Sequence, residues 1–242
     1  MSHSGILFDL DGTLLDLDVG AFLTRYFAAV DRLAHERFAG VDDLLHSILA
    51  STGTMQTDHV GRTNREVFAE DLQARCGVVL DHAWPIFEGF YLGVFPSLRG
   101  GAGPSEGARE VVDAALSAGF RVAVATQPIF PRIAIRQRLG WAGLGDVPFD
   151  LLTTYETMEA CKPLPRYFEQ TAESIGCEPA ACLMVGDDAL LDMPASKTGM
   201  RTFFTGDGPA VSDGRGSLRD LTRLIRQHGT DLVSRLAPDE AG

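Results

Sequence analysis

The sequence predicts an α/β protein, a doubly wound parallel sheet carrying a smaller α-helical domain. Three observations point there. Residues 5–9 form an apolar, strand-like segment; residues 17–95 place their apolar side chains at helical spacing without a convincing strand; and from about 105 onward short apolar strands alternate with helices. That alternation implies a parallel sheet covered on both faces. A chain of 242 residues has room for one large domain or two modest ones. The expected division is a core of residues 1–16 and 99–242, with residues 17–98 as the helical domain.

The elements follow in order. Ile6-Leu7-Phe8 is the opening strand, running directly into Asp9-Leu10-Asp11-Gly12-Thr13. In the helical region, Phe22-Leu23, Tyr26-Phe27, Val30 and Leu33-Ala34 recur at helical spacing, followed by Leu44-Leu45, Ile48-Leu49, Val67-Phe68, Leu72, Trp84, Phe87 and Phe90-Tyr91. About four helices are expected, with breaks at Ser51-Thr52-Gly53-Thr54 and at Gly61-Arg62. Leu98 to Pro104, rich in glycine, reads as a boundary. Beyond it come a helix near 105–118, a strand at 121–126, and a helix from Pro131, a residue suited to a helix start, to about Gly140. A short strand at 150–153 precedes a helix opened by Lys162-Pro163-Leu164-Pro165. Cys182–Gly186 is a further strand, 190–197 a short helix, 201–204 a strand, and 217–227 a final amphipathic helix.

In parallel α/β sheets ligands bind outside the carboxyl ends of the strands. Polar residues gather at four such ends here: Asp9 and Asp11; Thr126 and Gln127; Lys162 after the 150–153 strand; and Asp187-Asp188, with Asp192 a turn later. Asp9 and Asp11 sit two positions apart, so strand geometry puts both carboxylates on one side. Gly12 permits a sharp turn, and Thr13 offers a hydroxyl to orient a carboxylate. Asp9, Asp11, Asp187 and Asp192 form an acidic group that requires compensation; Mg²⁺, a hard oxygen-seeking cation, suits it, and Lys162 adds a second positive charge. Such a site is suited to a phosphoryl group whose charge shifts between its oxygens.

The bulk numbers narrow the partners. A formal charge of −12 argues against nucleic acid, which is held by clustered Lys and Arg. No stretch approaches the ~20 apolar residues of a membrane span. The four cysteines make no CxxC pair, and removal of a leader of about 15 residues would delete the Asp9–Thr13 segment. A cytoplasmic enzyme for a small phosphorylated metabolite is therefore expected, as a monomer or homodimer.

Asp9-Leu10-Asp11-Gly12-Thr13, Thr126, Lys162-Pro163 and Gly186-Asp187 with Asp192 resemble, in order, the four motifs of the haloacid dehalogenase superfamily of hydrolases. The helical segment resembles the cap of its phosphatase and phosphoglucomutase branches. The resemblance implies a Rossmannoid core and a set of roles. Asp9 would be the nucleophile and form an aspartyl-phosphate; Asp11 would protonate the leaving oxygen and then activate water. The Asp9 and Asp187 carboxylates and the Asp11 carbonyl would hold Mg²⁺, with Asp192 in support. Thr126 and Lys162 would grip the phosphoryl oxygens, Gln127 would sit beside them in the binding loop, and Thr13 would orient Asp11. Dehalogenases of the superfamily lack an aspartate at the position of Asp11, because a halide leaves without a proton; its presence favours phosphoryl transfer. Asp188 and Gln127 depart from the family's usual residues. The cap would set specificity, with Arg25, Arg62 and Arg65 available to an anionic substrate or to ordinary surface pairing. Two alternatives stay open beside a phosphatase: a phosphomutase of the β-phosphoglucomutase type, and a non-catalytic binding protein on the same scaffold.

Overall fold

The computed structural model describes residues 3–41 and 43–236. The chain opens with β1 (Gly5–Phe8) and a two-residue strand β2 (Leu15–Asp16), then builds four helices: α1 (Val19–Arg37), α2 (Leu44–Met55), α3 (Asn64–Cys76) and α4 (Leu80–Gly93). It returns through β3 (Gly103–Pro104), and the βα rhythm begins: α5 (Ala108–Ser117), β4 (Arg121–Val124), α6 (Arg132–Trp141), β5 (Leu151–Leu152), α7 (Pro165–Ser174) and β6 (Cys182–Gly186). After β7 (Arg201–Phe204) and β8 (Gly214–Arg215), α8 (Leu218–His228) and the short α9 (Leu232–Arg235) close the described chain.

Six parallel strands form one sheet in the order β5-β4-β1-β6-β7-β8. Strand alternation sends Ile6 and Phe8 into one apolar cluster and Leu7 into the other, so β1 is buried on both faces. This explains why β1, β4 and β6 read as continuous apolar runs rather than alternating ones. The chain order reverses around β1, which places a crevice outside the carboxyl ends of β1, β4 and β6. A second, antiparallel ribbon pairs β2 with β3, Leu15 opposite Pro104 and Asp16 opposite Gly103. It joins the two stretches of chain that flank α1–α4.

Two expectations need correction, and one between them holds. The break at Ser51–Thr54 lies inside α2, which continues to Met55; the Thr52 and Thr54 hydroxyls donate back to the Ile48 and Ala50 carbonyls, keeping those side chains compatible with the helix. The break near Gly61 is present, and α3 begins after it at a capping box in which Thr63 and Glu66 satisfy each other's backbone. The helix expected at 190–197 is instead a 3-10 turn, Met193–Thr198, with Pro194 in its first positions.

The helical segment meets the sheet side through hydrogen bonds as well as apolar packing. Asn64, fully buried at the start of α3, donates from Nδ2 to the carbonyls of Pro128 (3.0 Å) and Ala160 (3.4 Å), while its Oδ1 lies 2.9 Å from His59 Nε2. The first two amides of α3 also leave the segment, Asn64 N to Met158 O and Arg65 N to Tyr155 O, both 2.7 Å. Free donors of the helix N-terminus are thus satisfied by the loop that carries Lys162, while the Asn64 side chain also reaches the loop that carries Thr126. Aromatic rings fill the space alongside: Phe95 stacks on Trp141 at 5.4 Å, and Tyr26 meets Phe130 at 5.3 Å. Replacing Asn64 by Ala strands two buried carbonyls. The expected cost is about 2 kcal/mol of unfolding free energy, read by urea denaturation with an unchanged slope.

Candidate active site

The crevice at the strand ends collects the acidic residues expected there. Asp9 follows β1 directly, and its backbone N–H continues the ladder to Val185 O at 2.8 Å. Asp187 follows β6. Lys162 comes from the connection between β5 and α7, at a cis Lys162–Pro163 bond. The residue is 3 % exposed, and Nζ donates to Asp9 Oδ1 at 2.6 Å and to Asp192 Oδ1 at 2.5 Å. Single carboxylate oxygens of Asp9, Asp187 and Asp192 lie within 4.8 Å of one another.

Two glycines make this approach possible. Gly12 has φ +93°, and a Cβ there would overlap the Asp187 carboxylate; one at Gly186 would overlap that of Asp192.

The electrostatics follow from burial and charge count. Burial pushes the Asp9 carboxyl well above the usual carboxylate range; Lys162 pulls the other way, and Asp192 and Asp11 add to the push. Burial works against the Lys162 ammonium, but Asp192 and Asp9 outweigh it and hold Lys162 protonated, above the ordinary lysine value. Asp187 is also raised, chiefly by burial, against the pull of the Thr13 hydroxyl. Three carboxylates facing one ammonium leave this group short of positive charge. Among the described residues, Asp9 Oδ2 and Asp187 Oδ2 receive no hydrogen bond. Hard carboxylate oxygens, deficient in countercharge and held close together, fit a divalent cation that keeps much of its own water, as Mg²⁺ does.

Other expected residues lie nearby in different arrangements. Thr13 does not turn to Asp11: its hydroxyl donates to Asp187 Oδ1 at 2.8 Å, because the turn at Gly12 carries it across to β6. Thr126 is buried after β4, its carbonyl held at 2.8 Å by both the Thr153 hydroxyl and the Tyr167 phenol. The Gln127 side chain is engaged by the Lys162 backbone, accepting from its N–H at 2.9 Å and donating to its carbonyl at 3.2 Å. It aligns the lysine rather than facing an open binding loop. Asp192 pairs with Lys162 through one oxygen and accepts the Asp188 N–H at 3.1 Å through the other. Asp188 turns away, capping the Leu190 and Leu191 amides. Arg62 and Arg65 pair with Glu70 and Asp81, and Arg25 donates to the Leu98 carbonyl.

Asp11 stands apart from the three-carboxylate group. Its Oδ2 is bound by Arg138 of α6, a residue that sequence reasoning passed over. A signal existed: Ala134, Ile135, Arg138, Trp141 and Ala142 share the apolar stripe of α6, so an arginine stands where a core residue is expected. Away from these groups, a cavity of about 50 Å³ is lined by Tyr26, Ile48, Phe68, Trp84, Phe90 and Tyr155. Trp84, Phe87, Phe90 and Tyr91 thus pack toward the inside of the helical segment.

Comparison with known proteins fits this geometry. Residues 3–198 match the model of the haloacid dehalogenase-like hydrolases. The pyrophosphatase PpaX of Halalkalibacterium halodurans is 27 % identical over 136 residues, 56 % of this chain and 57 % of that protein, so the match spans little more than half the relative's length. PpaX of Bacillus velezensis is 24 % identical over 199 residues, 82 % of this chain and 81 % of that one. Among solved structures, a HAD phosphatase from Thermococcus onnurineus superposes with a TM-score of 0.57 at 21 % identity, covering 92 % of this chain and 97 % of the other. With the family's motifs in place on its sheet and its model matched over most of the length, this chain belongs to the haloacid dehalogenase-like hydrolases.

Proposed function

We propose that the protein is a Mg²⁺-dependent phosphatase that hydrolyses a small phosphomonoester through an aspartyl-phosphate. The observation that carries this reading is the Lys162 ammonium shared between Asp9 and Asp192, with Asp187 alongside and Asp11 retained two residues on. Asp9, Asp187 and the Asp11 carbonyl would hold the cation, supported by Asp192; when bound it neutralises charge on the phosphoryl oxygens. The Asp9 carboxylate attacks phosphorus. The ester P–O bond breaks with its electron pair moving to the leaving oxygen, and Asp11 delivers a proton to that oxygen. Water then attacks the aspartyl-phosphate while Asp11 takes its proton, and the bond from phosphorus to Asp9 breaks to release phosphate. Lys162 shields Asp9 from the negative substrate, and Thr126 donates to a phosphoryl oxygen.

In the same reading, residues 17–98 form the cap over a core of 1–16 and 99–242. The β2–β3 ribbon at the two crossing points and the Asn64 contacts to both site loops support that division. The cap excludes water from the aspartyl-phosphate. Both curated relatives are named pyrophosphatases, which adds phosphoanhydrides to the substrates worth testing.

Phosphate release from p-nitrophenyl phosphate is expected to require Mg²⁺, to stop with EDTA, and to fall by at least about 10³-fold in Asp9→Asn. An Asp9→Asn protein as active as wild type overturns the mechanism. A screen of phosphomonoesters and pyrophosphate then identifies the substrate class.

A second outcome concerns stability. Folding raises the Asp187 pKa above its unfolded value, so its contribution favours the native state at low pH and is lost as pH rises through the raised native value. In EDTA, the melting temperature of Asp187→Asn relative to wild type is expected to rise from about pH 4 to about pH 8. Mg²⁺ raises the wild-type value at neutral pH and moves the variant much less.

A further inference from the structure

We infer that Arg138, on α6, is a positioning residue for Asp11, holding the carboxylate that moves protons in the proposed reaction; this rests on the phosphatase reading above. Arg138 is 2 % exposed, and its guanidinium carbon lies 4.7 Å from the centre of the Phe130 ring. One Nη donates to Asp11 Oδ2. Its Nε and second Nη are buried with no hydrogen-bond partner among the described residues, and so is Asp11 Oδ1. Among the described residues, Asp11 is the one carboxylate with which it forms an ion pair.

A core-stabilising role does not account for this arrangement. Burying a guanidinium with two unsatisfied nitrogens is unfavourable, and an apolar side chain of similar volume packs an aromatic environment at least as well. Phe130, Ile135, Leu139 and Trp141 already supply apolar surface around this part of α6. What an apolar residue cannot do is direct a carboxylate. Lys162 is taken up by Asp9 and Asp192, and the cation that Asp11 meets is Arg138, which holds its side chain apart from the Asp9–Lys162–Asp192 group. Arg138 keeps the two aspartates of the opening motif in separate jobs: Asp9 on Lys162, Asp11 on its own cation.

The placement of α6 gives this contact a second side. Gln137, next along the helix, donates to the Tyr91 carbonyl of α4. The helix that orients Asp11 is therefore anchored to the helical segment.

The test compares two esters that differ in their need for a proton on the leaving oxygen. Phenyl phosphate needs general-acid help more than p-nitrophenyl phosphate does. For Arg138→Gln, kcat/KM on phenyl phosphate is expected to fall at least about tenfold further than on p-nitrophenyl phosphate, with KM little changed. Arg138→Lys recovers part of the loss. In an Asp11→Asn background, Arg138→Gln has little further effect, because the group it positions is already disabled. Equal losses on both esters, or losses that multiply in the double variant, overturn the assignment and leave Arg138 a packing residue. Should Arg138→Gln fail to fold, the same cycle with Arg138→Lys decides, since a lysine cannot reproduce the guanidinium geometry. A wild type inactive on both esters defeats the phosphatase reading and this inference together; an active wild type with indifferent variants defeats this inference alone.

Discussion

Everything at the strand ends is arranged around one buried ammonium. Lys162 has almost no contact with water, and an unpaired charge in that position costs several kcal/mol. Its stability in the fold therefore requires that Asp9, from the end of β1, and Asp192, from the turn after β6, arrive at the same point. Those two strands are neighbours in the sheet, and the lysine reaches them from the far side of β4, on a loop after β5. Gln127 holds the lysine's own backbone in place from the loop after β4. Loops from four strands are thus tied to one cation. The absence of a side chain at Gly186 lets Asp192 come close enough to serve it, and its absence at Gly12 makes room for Asp187 alongside.

The distribution of charge divides the site into unequal parts. Lys162 satisfies Asp9 and Asp192, and Arg138 satisfies Asp11. Among the described residues Asp187 has no basic partner, and its side chain accepts a hydroxyl from Thr13. The shortage of positive charge is therefore concentrated beside Asp9 and Asp187, where an oxygen of each is unoccupied by protein donors. Two basic side chains serve three of the four acidic groups, and the fourth, Asp187, is held by a hydroxyl alone.

Much of this was legible in the sequence, for identifiable reasons. Cys182–Gly186 was read with its observed bounds, because a strand buried on both faces of a parallel sheet is a continuous apolar run, and Arg201–Phe204 was read with its observed bounds as well. The four helices between β2 and β3 were legible from apolar spacing, although glycine and threonine in α2 suggested a break that local hydroxyl-to-carbonyl bonds absorb. The ribbon β2–β3 and the strand β8 are two residues long, too short for any periodicity to register. At the site, the acidic residues were visible because they cluster at strand ends. Their pairings were not. Thr13 is two residues from Asp11, yet bonds Asp187, 174 positions away, because direction at a turn outweighs proximity in the chain. Arg138 was hidden for a related reason: its role depends on a partner 127 residues distant, and on its own helix it is one arginine among several.

The narrow ribbon between β2 and β3 has a consequence for how this architecture can vary. Asp16 and Gly103 face each other across a single strand pair, about 5 Å apart by ordinary ladder geometry. The 86 residues between them leave the sheet and rejoin it at one doorway, so their number and shape place no demand on the spacing of β1 and β4. A shorter, longer or differently folded passage could occupy the same doorway while the strands and their acidic ends stayed where they are. What such a replacement would have to supply is small and specific: polar groups for the Pro128 and Ala160 carbonyls that Asn64 now meets, and a surface against the aromatic side of α6.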